Sequence, residues 1–321
     1  MYKLTCYLIL LLPFSSNAQK DSIRIIDINK AAYKVISVGV KPDFIAIDGN
    51  DAWVVDDHQS RVIKISPDSE VPLLIVPIPE ACTAPIVGFK ALWVMSCTGK
   101  ILYRIDHTSG IVLAKIATGM AEPNGEMSLA VGDGSVWLLS DSAGVLIRVD
   151  PKTNTVQAKI TVLPNSYGLA FGHHSIWVTN YQNNSVQRIN PKTNKVVATI
   201  AAGSKPRFIT ATNKGVWTLN QGDGTVSEID PKLNKLVATI DVKAIGSGGD
   251  IAAGLDKVYV VSTNPLRPVQ TIDVRTNLIE TIYLQKTADG KMAKTDGAVR
   301  ISGKYIYISG YFSKKIWILK K

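Results

Sequence analysis

The chain of 321 residues is 46% hydrophobic and 19% charged, and its formal net charge is +10. These proportions exclude an intrinsically disordered protein, because disorder requires few apolar residues and a high charge content. The positive charge favours anionic partners, although it also favours solubility.

Residues 1–18 have the pattern of a secretory signal peptide. Lys3 is followed by the apolar run 8–12, and Ala18 is a small residue at the expected cleavage point. The run is shorter than the roughly 20 residues of a membrane-spanning helix, and no later stretch is apolar enough to span a membrane. We therefore expect cleavage after Ala18 and a periplasmic or secreted mature chain, 19–321.

Residues 33–38 come next and form an isolated strand pattern. The segment, Tyr-Lys-Val-Ile-Ser-Val, is rich in aromatic and β-branched residues, which is typical of a β-strand. The strand precedes the repeats that fill the rest of the chain. We expect no helix after the signal segment.

One motif then recurs seven times, an aromatic residue at the centre of a short apolar strand. The seven aromatic residues, 40 to 48 residues apart, are Trp53, Trp93, Trp137, Trp177, Trp217, Tyr259 and Tyr307. Such a period is typical of four-stranded propeller blades. The sequence thus predicts an all-β protein, with 19–321 forming a single seven-bladed β-propeller domain of four antiparallel strands per blade.

Two cysteines flank the first hairpin of the second repeat. The hairpin turns at Phe89 and Lys90, a register that sets Cys82 opposite Cys97. Cross-strand neighbours are close enough for a disulfide, which an oxidising compartment favours. The alternative is a pair of reduced, buried thiols.

A turn motif, Asp/Asn-Pro-Lys-x-Asn, follows the third strand of several repeats. It occurs at 150–154, 190–194 and 230–234, with a looser copy at 273–277. The first residue caps the turn through its side chain, Pro presets φ, and the last Asn tolerates a left-handed backbone. The motif predicts a tight hairpin into the fourth strand.

The last repeat has three strands and lacks a fourth. We expect strand 33–38 to complete this seventh blade beside the C-terminal strand. This closure would protect two sheet edges.

The strand 177–180, Trp-Val-Thr-Asn, and the turn 190–194 resemble the YVTN family of propeller repeats. The resemblance covers nearly all of the mature chain and implies the propeller fold. The family includes DNA-binding periplasmic propellers of the YncE type, and similarity to the streptogramin (virginiamycin B) lyases is weaker. The resemblance therefore implies two candidate functions, a binding protein and an enzyme.

Seven residues fall in loops at one mouth of the predicted ring, where propeller ligands usually bind. These residues are Asp43, His58, Tyr167, Tyr181, Arg207, Asn220 and Tyr311. Tyr167, Tyr181, Arg207 and the neighbouring Phe208 come from adjacent repeats, and aromatic faces beside a guanidinium suit a flat or anionic ligand. The alternative is that these are the ordinary polar loops of a scaffold.

Catalytic residues are not predicted. The lyases that the chain resembles use histidines and a glutamate at this mouth, but only His58 lies near it, with no glutamate at short spacing. We also predict no cofactor and no metal site. Adjacent residues such as His173 and His174 point apart on a strand, and the alternatives are a turn that brings both histidines to one metal ion or a Ca²⁺ site at Asp43, Asp56 and Asp57. A lyase or hydrolase acting at the mouth remains the alternative function.

Six basic residues recur in or beside the turns between third and fourth strands, and we call them the basic arc. They are Lys152, Lys192, Lys195, Lys232, Lys235 and Arg275. They suit a phosphate backbone or another anionic polymer, although repetition alone would also generate a solvated surface with this spacing. The sequence thus predicts a monomeric, non-catalytic module that binds a protein, polymer or anionic ligand, with DNA as one candidate.

Overall fold

The computed structural model describes residues 23–38, 41–120, 128–140, 143–254, 256–287, 289–293 and 295–321, and of Asp57 and Ser140 the backbone only. The expected signal peptide lies outside the described residues. Seven sheets, each built on four antiparallel strands and one extended by a fifth, form the predicted seven-bladed β-propeller.

Within each blade the strands run from the central channel to the rim. The inner strands, in blade order, are Ile45–Asp48, Ile86–Gly88, Leu129–Gly132, Ser166–Gly172, Pro206–Ala211, Asp250–Ala253 and Val299–Ile301. The second strands are Asp51–Asp56, Ala91–Ser96, Ser135–Ser140, Ser175–Asn180, Val216–Asn220, Lys257–Val261 and Tyr305–Gly310. The third strands are Arg61–Ile65, Ile101–Asp106, Val145–Asp150, Ser185–Asn190, Thr225–Asp230, Val269–Asp273 and Lys315–Lys320. The outer strands are Leu74–Pro77, Val112–Ala117, Thr155–Thr161, Lys195–Ala201, Lys235–Asp241, Ile279–Leu284 and, for blade seven, Lys34–Ser37.

Each recurring aromatic residue is buried against the following blade. Trp93 of blade two shares a core with Leu129 and Val136 of blade three. In the same way, Tyr307 of blade seven shares a core with Ile45 of blade one. A buried aromatic side chain removes about 150–250 Å² from water. The ring is therefore held together at its blade-to-blade interfaces.

A polar contact accompanies these cores, and we call it the cross-blade tie. Arg188 on the third strand of blade four stacks on Trp177, with its Cζ 5.1 Å from the ring centroid. Its Nη1 donates to the carbonyl oxygen of Pro231, at 2.6 Å, and to Oδ1 of Asn234, at 2.9 Å, in the turn of blade five. Equivalent ties are made by Arg104 and Arg148.

The ring closes as the sequence predicts. The strand Lys34–Ser37 pairs antiparallel with Lys315–Lys320, in a register that sets Lys34 beside Ile318. The N-terminal part of the described chain is thereby joined to the C-terminal blade.

A fifth strand on blade six was not expected. Arg24–Asp27 pairs in parallel with the outer strand of that blade. A one-turn α-helix, Ile28–Ala31, follows it, capped by the Asp27 side chain, which accepts the N–H of Asn29. The expectation of no helix after the signal segment was therefore wrong, here and at the short 3₁₀ turn Asp57–Gln59.

The disulfide between Cys82 and Cys97 is confirmed, with Cα atoms 5.8 Å apart. The predicted register was wrong near the cysteines, because Ala81 pairs with Ser96 there while Ile86 pairs with Trp93 further down the hairpin. The two cysteines are thus diagonal neighbours. Pro85 lies between the two registers and has no backbone N–H for a continuous ladder.

Candidate functional site

We call the top face the one that carries the loops into each blade and those between second and third strands. A cavity of about 230 Å³ opens there between blades one, five, six and seven. The residues that line it are Asp43, Phe44, Phe208, Ser247, Gly248, Gly249, Asp250, Asp296, Gly297, Ala298 and Tyr311.

Beside this cavity, blades four and five bring together aromatic rings and cations, which we call the Tyr–Arg cluster: Tyr167, Tyr181, Lys205, Arg207 and Phe208. The rings of Tyr167 and Tyr181 meet edge to face with centroids 5.4 Å apart. The guanidinium carbon of Arg207 lies 5.2 Å from the Tyr167 ring and 5.8 Å from the Phe208 ring. Lys205 Nζ lies 5.7 Å from the Tyr181 ring. The adjacency predicted for Tyr167, Tyr181 and Arg207 is therefore observed.

Backbone contacts position the Tyr–Arg cluster. The Thr179 hydroxyl accepts the N–H of Gly168, at 2.8 Å, and donates to the carbonyl oxygen of Arg207, at 3.1 Å. The N–H of Tyr181 donates to the carbonyl oxygen of Asn165, which has a left-handed φ of 59°. These bonds hold the two tyrosine loops and the Arg207 strand in one arrangement.

Blades seven and one form another part of the mouth. His58 Nε2 lies 3.1 Å from the hydroxyl oxygen of Tyr311, and Lys41 Nζ lies 5.0 Å from the centroid of the same ring. Phe312 meets Tyr311 edge to face, and Asp43 lines the cavity beside it. The structure thus places Asp43, His58 and Tyr311 together, at the mouth where they were predicted.

Asn220 is placed differently from the other predicted mouth residues. Its side chain is fully buried at the end of a second strand. Its Nδ2 donates to the hydroxyls of Thr225 and Ser227, each at 2.9 Å, and its Oδ1 accepts from Thr218. Asn220 therefore stabilises the blade from inside, because its polar groups are bonded within the sheet.

Two carboxylates at the cavity were not among the predicted site residues. Asp250 is buried and forms an ion pair with Arg300, and burial raises the pKa of its carboxyl against the opposing charge of Arg300. Burial also raises the pKa of Asp296, against hydrogen bonds from the N–H groups of Gly249 and Gly297. The sequence does carry a signal for the Asp250–Arg300 pair, because the residue equivalent to Asp250 is uncharged in the other six blades.

Below the mouth, the inner strands of all seven blades line a second cavity of about 330 Å³. Its described lining is mostly apolar, with Arg300 as the charged residue. Arg300 thus faces the lower cavity while its partner Asp250 lines the upper one.

The basic arc lies on the opposite, bottom face, and its six side chains are exposed. They are spread over four blades, and three of the four turns also carry a carboxylate that caps the turn. Asp150, Asp230 and Asp273 accept the N–H of Lys152, Lys232 and Arg275, respectively, at 2.7 to 2.8 Å. In blade four the cap of Lys192 is Asn190, which is uncharged.

Within the described residues, no group of three or more His, Cys, Asp or Glu side chains is arranged to hold a metal ion. No helix in this part of the chain has the length and apolar character needed to cross a membrane.

No family model matches the chain, and the search of curated proteins finds no similar sequence. Solved structures do resemble it. A streptogramin B lyase has a TM-score of 0.74 at 13% identity, over 89% of this chain and 96% of that one. A catalytically inactive virginiamycin B lyase from Staphylococcus aureus, solved with quinupristin, has a TM-score of 0.73 at 15% identity, over 90% and 98%. BamB from Moraxella catarrhalis has a TM-score of 0.60 at 12% identity, over 86% and 82%. At these identities the likeness establishes the propeller fold alone.

Proposed function

We propose that the protein is a non-catalytic binding module whose ligand meets the top mouth at the Tyr–Arg cluster. The observation that carries this proposal is the stacking of Arg207 against Tyr167 and Phe208, at a partly exposed position beside the top cavity. Aromatic faces beside a guanidinium suit a flat or anionic ligand. The cluster is therefore suited to a ligand with an anionic group.

The ligand class follows from the charges and rings around the mouth. Lys205 adds a second cation on blade five, and Tyr167 and Tyr181 offer aromatic surface for a planar group. Asp250 and Asp296 line the cavity itself. The anionic group of the ligand is accordingly assigned to the rim at blades four and five, and a small molecule, a protein or a polymer such as DNA could present it.

The cellular setting belongs to the same proposal. Removal of residues 1–18 would place the mature chain in the periplasm or outside the cell, where the Cys82–Cys97 disulfide is stable. Membership of the YVTN repeat family is supported by the turn motif of blades three to five.

The experiment is an untargeted pull-down with the purified mature chain, with the captured compounds identified by mass spectrometry. Tyr181→Ala and Arg207→Gln should each weaken retention of the captured ligand by roughly thirtyfold, as expected for an aromatic or arginine anchor worth about 2 kcal/mol. Lys232→Gln, on the bottom face, is the charge-matched control for Arg207→Gln and should leave retention unchanged.

Retention that neither mouth variant alters would refute the assignment of the ligand to the Tyr–Arg cluster. The enzymatic alternative has its own assay, the incubation of the chain with a streptogramin B and with ester and lactone substrates. Turnover that is lost in His58→Ala would refute the non-catalytic role.

A further inference from the structure

A groove of about 300 Å³ lies on the bottom face at the junction of blades three and four, far from the proposed ligand site. It is lined by Asp133, His174, Ser175, Arg188, Asn190, Lys192 and Val197. Three of these side chains are basic, and they come from three segments of blade four: the turn between its first and second strands, its third strand, and the turn between its third and fourth strands. We call this the blade-four groove.

No ion pair in the described part of the chain neutralises the positive charge of Arg188. Its Nε donates to the Ser175 hydroxyl, at 2.8 Å, and its Nη1 donates to the uncharged oxygens of Pro231 and Asn234. No carboxylate among the described residues lies within ion-pair distance of it. The equivalent arginine of blade three, Arg148, has Asp133 Oδ2 at 3.7 Å.

The internal repeat shows which residues cause this difference. The position held by Asp133 in blade three is held by His173 in blade four. The turn cap Asp150 of blade three corresponds to Asn190 in blade four, and blades five and six also carry Asp at this position. Blade four therefore keeps the arginine and the lysine of the repeat but lacks both acids.

We propose that the blade-four groove is a binding site for a phosphate-type oxyanion. Arg188 is held in place by Trp177 and by its contacts to blade five, so that little side-chain entropy is lost on binding. Lys192 supplies a compact exposed charge, and His174 and Ser175 add polar groups. Asp133, the one acid in the lining, lies beside Arg148.

The volume of the groove exceeds that of a single phosphate group, so the anion is expected to carry a substituent. Two sources share this chemistry, a free phosphate ester and the phosphate groups of a polymer chain. The site is independent of the Tyr–Arg cluster, because none of its residues lies on the top face.

The test uses the full mature chain and inorganic phosphate as the probe, at constant ionic strength. The imidazole resonances of His174, identified with a His174→Gln variant, are followed by NMR during titration. A saturable shift is expected for the wild-type chain. Lys192→Thr and Asn190→Asp should each weaken binding by roughly three- to tenfold.

Both substitutions copy residues that the repeat already carries elsewhere, so the turn is expected to form. Thr108 occupies the lysine position in blade two, where its N–H is capped by Asp106 in the same way. Lys152→Thr, outside the groove, is the matched control for Lys192→Thr and should leave phosphate binding unchanged.

If Lys152→Thr and Lys192→Thr weaken phosphate binding equally, the proposal is overturned, because phosphate is then attracted by the overall surface charge and not bound in the groove. The absence of a saturable His174 shift in the wild-type chain would also overturn it. Competition by a short oligothymidylate would support the site and assign it to a polymer; phosphate binding without such competition would support the site and assign it to a free phosphate ester.

Discussion

At Gly168, the absence of a side chain lets two strands of the candidate site approach each other. A Cβ atom at this position would lie 2.2 Å from the carbonyl oxygen of Arg207. The same contact region includes Thr179, whose hydroxyl bridges Gly168 and Arg207. The geometry of Tyr167 and Arg207 thus depends on a residue that binds no ligand itself.

Gly168→Ala should therefore destabilise the protein and disturb the Tyr–Arg cluster together. We expect the free energy of unfolding to fall by about 1–3 kcal/mol, as for an overpacked interior, and ligand retention at the mouth to fall with it. Urea denaturation measures the first effect. Gly303→Ala is the control, since a Cβ there meets nothing within 4 Å; equal stability of the two variants would contradict the prediction.

A second network of single residues joins blades one and two on the bottom face. Asp48 accepts a hydrogen bond from Lys64, at 2.7 Å, and its other oxygen lies 2.7 Å from His107 Nδ1. Burial raises the pKa of the Asp48 carboxyl, but the hydrogen bonds with Lys64 and His107 outweigh it, so the pKa is lowered from its ordinary value. A carboxyl with a lowered pKa stabilises the fold above its unfolded pKa and loses that contribution as the pH falls through the folded value.

Asp48→Asn should consequently lower the free energy of unfolding by about 2 kcal/mol at neutral pH. The difference from the wild-type chain should shrink as the pH falls below about 4, the ordinary pKa of the carboxyl in the unfolded chain, and on through its lower folded-state pKa. Denaturation series across pH 3 to 7 measure this. Asp51→Asn, whose carboxylate lies 3.9 Å from Lys64, should have a smaller effect; a pH-independent difference for Asp48→Asn would refute the interpretation.

At the scale of elements, the cross-blade tie explains why the turn motif recurs. Its first residue caps the turn, as predicted, but its Pro carbonyl and final Asn side chain also receive the arginine of the preceding blade. The sequence did not reveal this second role, because donor and acceptor are 43 to 46 residues apart. The local conformational preferences of Asp, Pro and Asn explain the turn fully, so the motif gives no sign that it also binds an arginine of another blade.

Arg188→Met should lower the free energy of unfolding by about 1–3 kcal/mol, because it leaves buried oxygens in blade five without their donor. Asn234→Gly removes one acceptor and keeps the left-handed backbone, which has a φ of 53°. A double-mutant cycle should then show a coupling of about 0.5–3 kcal/mol between them. Arg275→Met, at an exposed turn position, should change stability by less than about 0.5 kcal/mol; strict additivity of Arg188→Met and Asn234→Gly would exclude the tie.

At the scale of the whole molecule, the N-terminal part of the described chain connects two blades. Lys34–Ser37 completes blade seven, and Arg24–Asp27 adds an edge to blade six. Between them Ile28 is buried, and Asn29 Oδ1 accepts the indole N–H of Trp317 at 2.9 Å. The segment therefore spans the junction of the last two blades.

Two truncations separate these contributions. A chain that begins at Tyr33 loses Ile28 and the fifth strand, and we expect it to keep the oligomeric state of the full mature chain while it is destabilised by about 3 kcal/mol. A chain that begins at Lys41 also loses the closing strand and exposes the edge of Lys315–Lys320, so we expect aggregation. Size-exclusion chromatography and thermal unfolding distinguish the two, and identical behaviour would refute the separate roles.

The architecture could be predicted from the sequence because it is repeated. The seven aromatic residues fix blade number and register, and these in turn bring Tyr167, Tyr181 and Arg207 together. Features outside the repeat were missed, such as the strand Arg24–Asp27. Asn220 was assigned to the mouth because the sequence alone does not distinguish a polar residue that faces solvent at a strand end from one that forms hydrogen bonds within the sheet.

The cross-blade tie also determines which blades can be exchanged. In blade five the arginine position is held by Glu228, and Asn277 of blade six turns its Nδ2 toward that carboxylate, at 2.7 Å. A second copy of blade four could be inserted between blades three and four. Its turn would accept the arginine of blade three, and its own arginine would donate to the turn of the original blade four. Placed ahead of blade six it would meet a turn adapted to glutamate. Duplication of a blade is thus compatible with this ring only where the two new interfaces are matched. Glu228 marks the interface at which the arginine contact is replaced by a different one.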